Sequence, residues 1–386
     1  MDYLDQSFSV RFDYKVYFTS NLFSLENDTF RHFLKSKEQR SIPKIFFIID
    51  GGVAQSHPTL LQDIKQFFAA ENNITLINEI MIIPGGEVVK NSTEYVEKII
   101  HAVDHFQIDR HSYIAAIGGG AVLDMVGFAA AISHRGVRHI RIPTTVLSQN
   151  DSGVGVKNSI NWSSKKNFVG TFVPPVAVMN DSQFLTSLSD GEWRSGISEA
   201  IKVGLIKDAA FFQWIASHTQ QLVARDMPTM QYLIKRCAAL HMQHIAGKDP
   251  FETGSNRPLD FGHWSAHKLE QLTKFAVRHG DAVAMGIALD SAYAYLEGRL
   301  AKQELDQIIS VIQQLGFELT HHQLHVDDSA QVLLNGLEEF REHLGGQLTI
   351  TLLNKIGEGV EVHEMDHDLI AKASNYLQSI GKNSVL

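Results

Sequence analysis

The chain carries two hydrophobic rhythms, and one gives way to the other near residue 190. In the first part, short apolar runs end in turn residues. PKIFFIID (43–50) closes on Asp50-Gly51-Gly52, TLINEIMIIPGGE (75–87) contains Pro84-Gly85-Gly86, and YIAAI (113–117) runs into Gly118-Gly119-Gly120. HIRIPTT (139–145) and PPVAVMND (174–181) read as further strands, and residues 7–18 alternate like a strand. Uninterrupted apolar runs suit strands buried on both faces, and single alternation suits a half-exposed strand. Between them, residues 56–71, 92–106 and 121–134 have helical spacing, with Ser92 as the expected N-cap of the second stretch. Strands alternating with helices predict an α/β, Rossmann-like domain with a mostly parallel sheet over residues 1–189.

From residue 190 onward helical spacing dominates, over 192–224, 227–247, 262–277, 281–300, 302–315 and 366–381, with GQLTITLL (346–353) as an isolated strand-like run. A mainly α-helical second domain is therefore expected over 190–386. The length of 386 residues also favours two domains. A pocket between two such halves is the expected place for chemistry.

Composition narrows the function. At 44% apolar and 20% charged the chain is an ordinary globular one, and a net charge of −9 gives no basic footprint for nucleic acid. Neither a signal-peptide pattern nor an apolar run of transmembrane length is present, so a cytoplasmic protein without membrane attachment is expected. The single cysteine, Cys237, excludes an internal disulfide framework and shares helical spacing with Leu233 and Leu240, as a core residue would.

Candidate chemistry lies in three places. The glycines at 118–120 followed by Asp124 and a helix form a cradle of the kind that lets a backbone approach a diphosphate at a helix N-terminus, although GGGxxxD is not the GxGxxG fingerprint. The segment 135–170 brings Asp151, Lys157, Asn158, Asn161, Lys165, Lys166 and Asn167 onto a glycine-containing loop, where ammonium and amide donors suit phosphate oxygens. Glu199, His263, His267 and His279 are scattered, with His263 and His267 on one helix face. One carboxylate and two imidazoles can make an open metal site, but 19 histidines would also give such a trio by chance.

The order GGGAVLD, HRG, PTT, DSGVGVK, KKNFVG, SEAIK, FGHWSAH and HGD resembles the 3-dehydroquinate synthase superfamily of sugar-phosphate cyclases over residues 45–355. The resemblance implies NAD and a divalent metal, zinc or cobalt, as cofactors. It makes Glu199, His263 and His279 the metal ligands. It places Asp50, Glu87, Lys90, Gly119, Gly120, Asp124, Thr144, Thr145, Phe184 and Leu188 along the NAD. It places Asp151, Lys157, Lys166, Asn167, Lys202 and His267 around a sugar phosphate, and it sends Arg135 into a neighbouring subunit of a homodimer. The implied reaction is transient oxidation by NAD, β-elimination of phosphate, re-reduction and an intramolecular aldol cyclisation.

The chain departs from true dehydroquinate synthases before His263. There the family pattern resembles DExExGLRxxLNxGH, whereas this chain has DPFETGSNRPLDFGH (249–263). Asn256 replaces the arginine for the substrate carboxylate, Met242 replaces a lysine, and Asp260 replaces an asparagine. Losing both cations removes the natural partners of a carboxylate. FREHLGG (340–346) is similar to the 2-epi-5-epi-valiolone synthase branch, with Arg341 or His343 available for phosphate and Arg257 as a partial substitute for the lost arginine. His267 is retained as in dehydroquinate synthases. The expectation is a cyclase of a carboxylate-free sugar phosphate, sedoheptulose 7-phosphate first. The alternatives are an authentic dehydroquinate synthase, a metal-dependent polyol or alcohol dehydrogenase, and a non-catalytic binding protein that kept the fold.

Overall fold

The structure, a computed structural model, describes residues 2–36, 41–163, 165–247, 250–251, 258–325, 331–343 and 346–383. It forms two compact units, one of residues 1–144 with 156–184 and one of residues 145–155 with 185–386. The expected single divide at 189/190 differs from this partition chiefly in the segment 145–155, which clusters with the later residues.

The first unit is built on a parallel sheet. Its strands are β1 (Val16–Thr19), β2 (Lys44–Asp50), β3 (Thr75–Leu76), β4 (Met81–Ile83), β5 (Tyr113–Gly118), β6 (Arg138–Pro143) and β9 (Ala177–Asp181). The order is β1-β9-β6-β5-β2-β3, with β4 also pairing with β2, and every pairing is parallel. The chain runs from β2 to β3 and β4 on one side, then crosses to β5 on the other, so the direction reverses between β2 and β5. Ligands of such sheets bind outside the carboxyl ends of the strands at that reversal. Asp50 and Gly118 end those two strands.

The side-chain period of two explains the apolar runs. Ile45, Phe47 and Ile49 of β2 join one core with Phe30, Phe67 and Phe68 of the helices Thr29–Lys35 and Leu60–Ala69. Phe46 and Ile48 join the opposite core with residues of Glu94–His105 and Gly120–Ile132. Each such side chain contributes about 1.5–3 kcal/mol on burial, so both faces have to be covered. Three expectations give way here. Residues 7–18 hold a strand only from Val16, where pairing with β9 begins. The run 75–87 breaks into β3 and β4. The helix expected from Ser92 starts at Glu94 after the N-cap Thr93, while the Ser92 hydroxyl accepts the Glu94 N–H at 3.1 Å.

The lysine- and asparagine-rich segment expected as a loop is instead an antiparallel hairpin, β7 (Lys157–Trp162) and β8 (Lys165–Phe172). In β7 the polar Asn158, Ser159 and Asn161 are buried and occupied by side-chain hydrogen bonds, so polarity misled the reading of a strand.

The second unit is mainly helical, with a two-stranded antiparallel sheet of β10 (Ile350–Lys355) and β11 (Glu358–Val362). The stretch expected as one helix over 192–224 is four short ones, Asp190–Ser195, Ile197–Lys207, Ala209–Ser217 and Thr219–Val223. Helix His279–Leu296 is buried on all sides from Ala282 to Ala294, which is why its sequence shows no polar stripe. Cys237 is buried in this core, and burial pushes its thiol well above the ordinary value, as expected of a packing residue. Among the described residues no helix is long and apolar enough to cross a membrane.

Candidate active site

In the second unit, helix Ile197–Lys207 carries Glu199 and, one turn later, Lys202. Helix His263–Leu272 begins with His263 and carries His267 and Glu270, and helix His279–Leu296 begins with His279. His279 Nε2 lies 3.7 Å and His263 Nε2 3.5 Å from Glu199 Oε1. A divalent metal bound tetrahedrally at about 2.0–2.1 Å needs ligand atoms roughly 3.3–3.4 Å apart, so these separations are close to the edges of such a site. The Glu199 side chain is fully buried, and neither oxygen has a hydrogen bond of good geometry among the described residues. A buried carboxylate whose Oε1 faces two imidazole nitrogens fits a cation.

The imidazoles are oriented from behind. His263 Nδ1 is 3.1 Å from the Phe261 carbonyl, and His279 Nδ1 is 3.2 Å from Glu270 Oε2. Each contact places the ring proton on Nδ1 and leaves Nε2 with a lone pair toward Glu199. The backbone at His279 is fixed as well: a Cβ on Gly280 would stand 2.0 Å from the Ser195 carbonyl, so only glycine permits that approach.

The charges around Glu199 are tightly balanced. Lys202 Nζ forms an ion pair with Glu199 Oε2, and both side chains are buried. Burial opposes the charge of Glu199, but Lys202 above all holds its carboxyl down at about 2. Burial likewise opposes the charge of Lys202, yet Glu199, Asp151 and Asp260 push it up to about 12. Asp151 is held well below the usual carboxylate range against its own burial, chiefly by His241, whose Nδ1 lies 2.7 Å from its Oδ1. His267 is exposed, its ring stacked at 6.1 Å on His279 and edge-on at 5.4 Å to His263.

The second group of expected residues is assembled in the first unit. Lys90, buried on the short turn Glu87–Asn91, donates to Asp124 Oδ2 at 2.8 Å, to Ser159 Oγ at 3.2 Å and to Asn167 Oδ1. Asn161 Nδ2 donates to Glu87 Oε1 at 3.0 Å and its Oδ1 accepts the Asn167 N–H at 2.8 Å. Asn167, expected at the substrate phosphate, therefore shares a network with Glu87, Lys90 and Asp124, expected along the cofactor. Asp50 accepts the Gly52 N–H at 2.8 Å, and a Cβ on Gly85 would lie 2.3 Å from its other oxygen. Gly119 and Gly120 open the helix whose N-terminus faces the ends of the strands, and the Thr144 N–H donates to the Gly118 carbonyl at 3.0 Å.

The remaining expected residues are dispersed. Phe184 stands edge-on to His57 in the first unit, whereas Thr145, bonded to Ser148, and Leu188 belong to the second. Lys157 is exposed and Lys166 half-buried on the hairpin. Arg135 is exposed, and both it and His134 have left-handed backbone conformations, φ 62° and 50°. Met242 lies half-buried on helix Met227–Ile245 and Asp260 half-buried beside the start of the His263 helix. Arg341 is paired with Glu338 at 2.6 Å. Asn256 and Arg257 lie outside the described residues, and the backbone but not the side chain of His343 is described.

Three residues went unnoticed in the sequence. Glu270 follows His263 by seven positions and His267 by three, a same-face spacing that points to the site. His241 gave no such signal. Asp290 is fully buried and accepts from Trp264 Nε1 at 2.8 Å and the Gly262 N–H at 3.0 Å, tying down the start of the His263 helix. Burial pushes its carboxyl up to about 7 despite those two donors.

The family described as 3-dehydroquinate synthase N-terminal matches residues 80–195, and that described as 3-dehydroquinate synthase C-terminal matches residues 196–336. A 2-epi-5-epi-valiolone synthase from Streptomyces hygroscopicus subsp. jinggangensis 5008, solved with NAD+ and Zn2+ bound, is 25% identical with a TM-score of 0.87, over 98% of this chain and 100% of that one. A 2-deoxy-scyllo-inosose synthase complexed with carbaglucose-6-phosphate, NAD+ and Co2+ shares the fold at 19% identity and a TM-score of 0.77, over 94% and 96% of the two chains. A probable glycerol dehydrogenase from Sinorhizobium meliloti 1021 shares it more distantly, at 15% identity and 0.59, over 95% and 97%. With the two family models matching consecutive segments over residues 80–336, the protein belongs to the 3-dehydroquinate synthase-like superfamily of sugar-phosphate cyclases.

Proposed function

We propose that this chain is a carbon–oxygen lyase that cyclises a carboxylate-free sugar phosphate, sedoheptulose 7-phosphate first, with NAD and a divalent metal, zinc or cobalt. The observation that carries the reading is the buried Glu199 carboxylate, whose Oε1 faces His263 and His279 while Lys202 pairs with its Oε2. When bound, NAD supplies a reversible hydride acceptor and the metal a Lewis acid for the substrate oxygen, which together make a neighbouring C–H acidic enough for phosphate to leave. Lys202, pushed up to about 12, stays charged and serves as an electrostatic donor rather than a base at neutral pH. Asp151, kept ionised by His241, is an acceptor for a substrate hydroxyl. His267 is assigned to phosphate or proton transfer, and Lys157 and Lys166 to the phosphate. Lys90 and Asp124, with Asp50 at the end of β2, are assigned to NAD, and Asn167, bonded to Lys90, to the substrate phosphate. The exposed, left-handed Arg135 is assigned to the partner subunit of a homodimer.

Substrate choice rests on Met242 and Asp260. Neither offers a cation to a carboxylate, and Asp260 is a negative charge felt by Lys202. A second reading, authentic dehydroquinate synthase, is favoured by the retained His267. Incubation with each sugar phosphate, followed by phosphate release and product mass, separates the two. Turnover of sedoheptulose 7-phosphate supports the proposal. Turnover of 3-deoxy-arabino-heptulosonate 7-phosphate alone overturns it.

A further inference from the structure

Two possible ligand trios share one imidazole: Glu199, His263 and His279, and His267, Glu270 and His279. Taken at face value they are two metal sites. The ring of His279 decides between that and a different division of labour. Its Nε2 faces Glu199 at 3.7 Å and its Nδ1 faces Glu270 Oε2 at 3.2 Å. A neutral imidazole has one ring proton and one lone pair. If Nε2 takes a metal, the proton sits on Nδ1 and is donated to Glu270, so Nδ1 has no lone pair for a second ion.

The two histidines of the first trio are held differently. His263 is held by a carbonyl of its own loop, whereas His279 opens a new helix and its half-buried ring leans on a carboxylate from the preceding helix. Glu270 is buried, at 4% exposure, a costly place for a charge without a purpose. A carboxylate behind a ligating imidazole fixes its rotation and raises its basicity.

We propose that Glu270 is a positioning residue that holds the Nδ1–H tautomer of His279, presenting Nε2 to one metal ion with Glu199 and His263, and that the His267 trio takes no second ion. The inference rests on the metal reading given under Proposed function. Its test is zinc affinity by chelator competition on the full chain, zinc stoichiometry in excess metal, and the visible spectrum of the cobalt form. Glu270→Met is expected to weaken zinc binding about 10–100-fold and shift the cobalt bands. Glu270→Gln, which keeps shape and an acceptor but not the charge, should fall between it and the wild type. His267→Asn should leave affinity within about threefold, and the wild type should hold one zinc.

Two zincs per wild-type chain, one of them lost in both Glu270→Met and His267→Asn, would overturn the inference. So would unchanged affinity and spectrum in both Glu270 variants. Should Glu270→Met fail to fold, the spectrum and affinity of Glu270→Gln decide. Glu199→Gln separates the layers: if it loses zinc while the Glu270 variants do not, only the role of Glu270 fails. If it binds zinc as well as wild type, or wild type binds none, both readings fall.

Discussion

Replacing Lys202 with methionine tests the electrostatic design of the site. The ammonium and Glu199 are both buried, and the ammonium is raised from 10.5 to about 12 by its carboxylate neighbours. That difference of about 1.5 pH units corresponds to roughly 2 kcal/mol of net stabilisation of the charged lysine. The sign follows from the direction of the shift. A raised base contributes fully below its unfolded value of 10.5 and is lost only as pH rises toward 12, so at neutral pH all of it is present. Lys202→Met costs more than this, because it also leaves the Glu199 carboxylate buried and unpaired; losses of about 3–5 kcal/mol are typical. In a unit of this size 1 kcal/mol moves the melting midpoint by roughly 2–4 °C, giving a drop of about 6–20 °C in the metal-free protein. A divalent cation at Glu199, His263 and His279 would neutralise the same carboxylate, so the drop in zinc-loaded protein should be less than half as large. Calorimetry of both proteins, with chelator and with zinc, measures the four midpoints. An equal drop in both states, or a metal-free drop under about 2 °C, would refute the reasoning.

Two further outcomes are expected. His139 is buried in the first unit with neither ring nitrogen hydrogen-bonded among the described residues, and burial together with Arg141 holds it well below 6.5. A depressed base leaves stability intact above 6.5 and removes it as pH falls, by about 1.4 kcal/mol at about pH 5.5, and His139→Leu should lose that increment of acid sensitivity in unfolding titrations. An unchanged pH dependence would show that His139 is not held neutral. Gly85→Val puts a Cβ 2.3 Å from the Asp50 carboxylate and should displace it, weakening NAD binding at least tenfold by calorimetric titration. Unaltered affinity would remove Asp50 from the cofactor cradle.

The sheet of the first unit could be read from the chain because β2 and β5 are buried on both faces and their central residues are apolar, whereas β6 is buried as well but carries His139 and Arg141. The hairpin β7–β8 could not, since Ile160 is flanked in β7 by the buried polar Asn158, Ser159 and Asn161, satisfied by partners distant in sequence. Residues 7–15 alternate convincingly but find no neighbouring strand among the described residues, and alternation without a partner does not make a sheet. The proposed metal trio is spread over three helices, so no local spacing joins Glu199 to the histidines; their residue types suggested a site and the resemblance to a family singled out the three. Glu270 left a trace in the heptad-like spacing with His263 and His267. Asp290 and His241 left none, because their roles come from packing between helices.

The central claim is that a hydride is lent and returned while phosphate departs. Following phosphate release and nicotinamide absorbance together, with purified enzyme, bound NAD, zinc and the preferred sugar phosphate, tests it most directly. One phosphate should be released per carbocyclic product, with reduced cofactor back at its starting level when turnover ends. Reduced cofactor accumulating in step with product, without phosphate, would contradict it and make the protein a dehydrogenase.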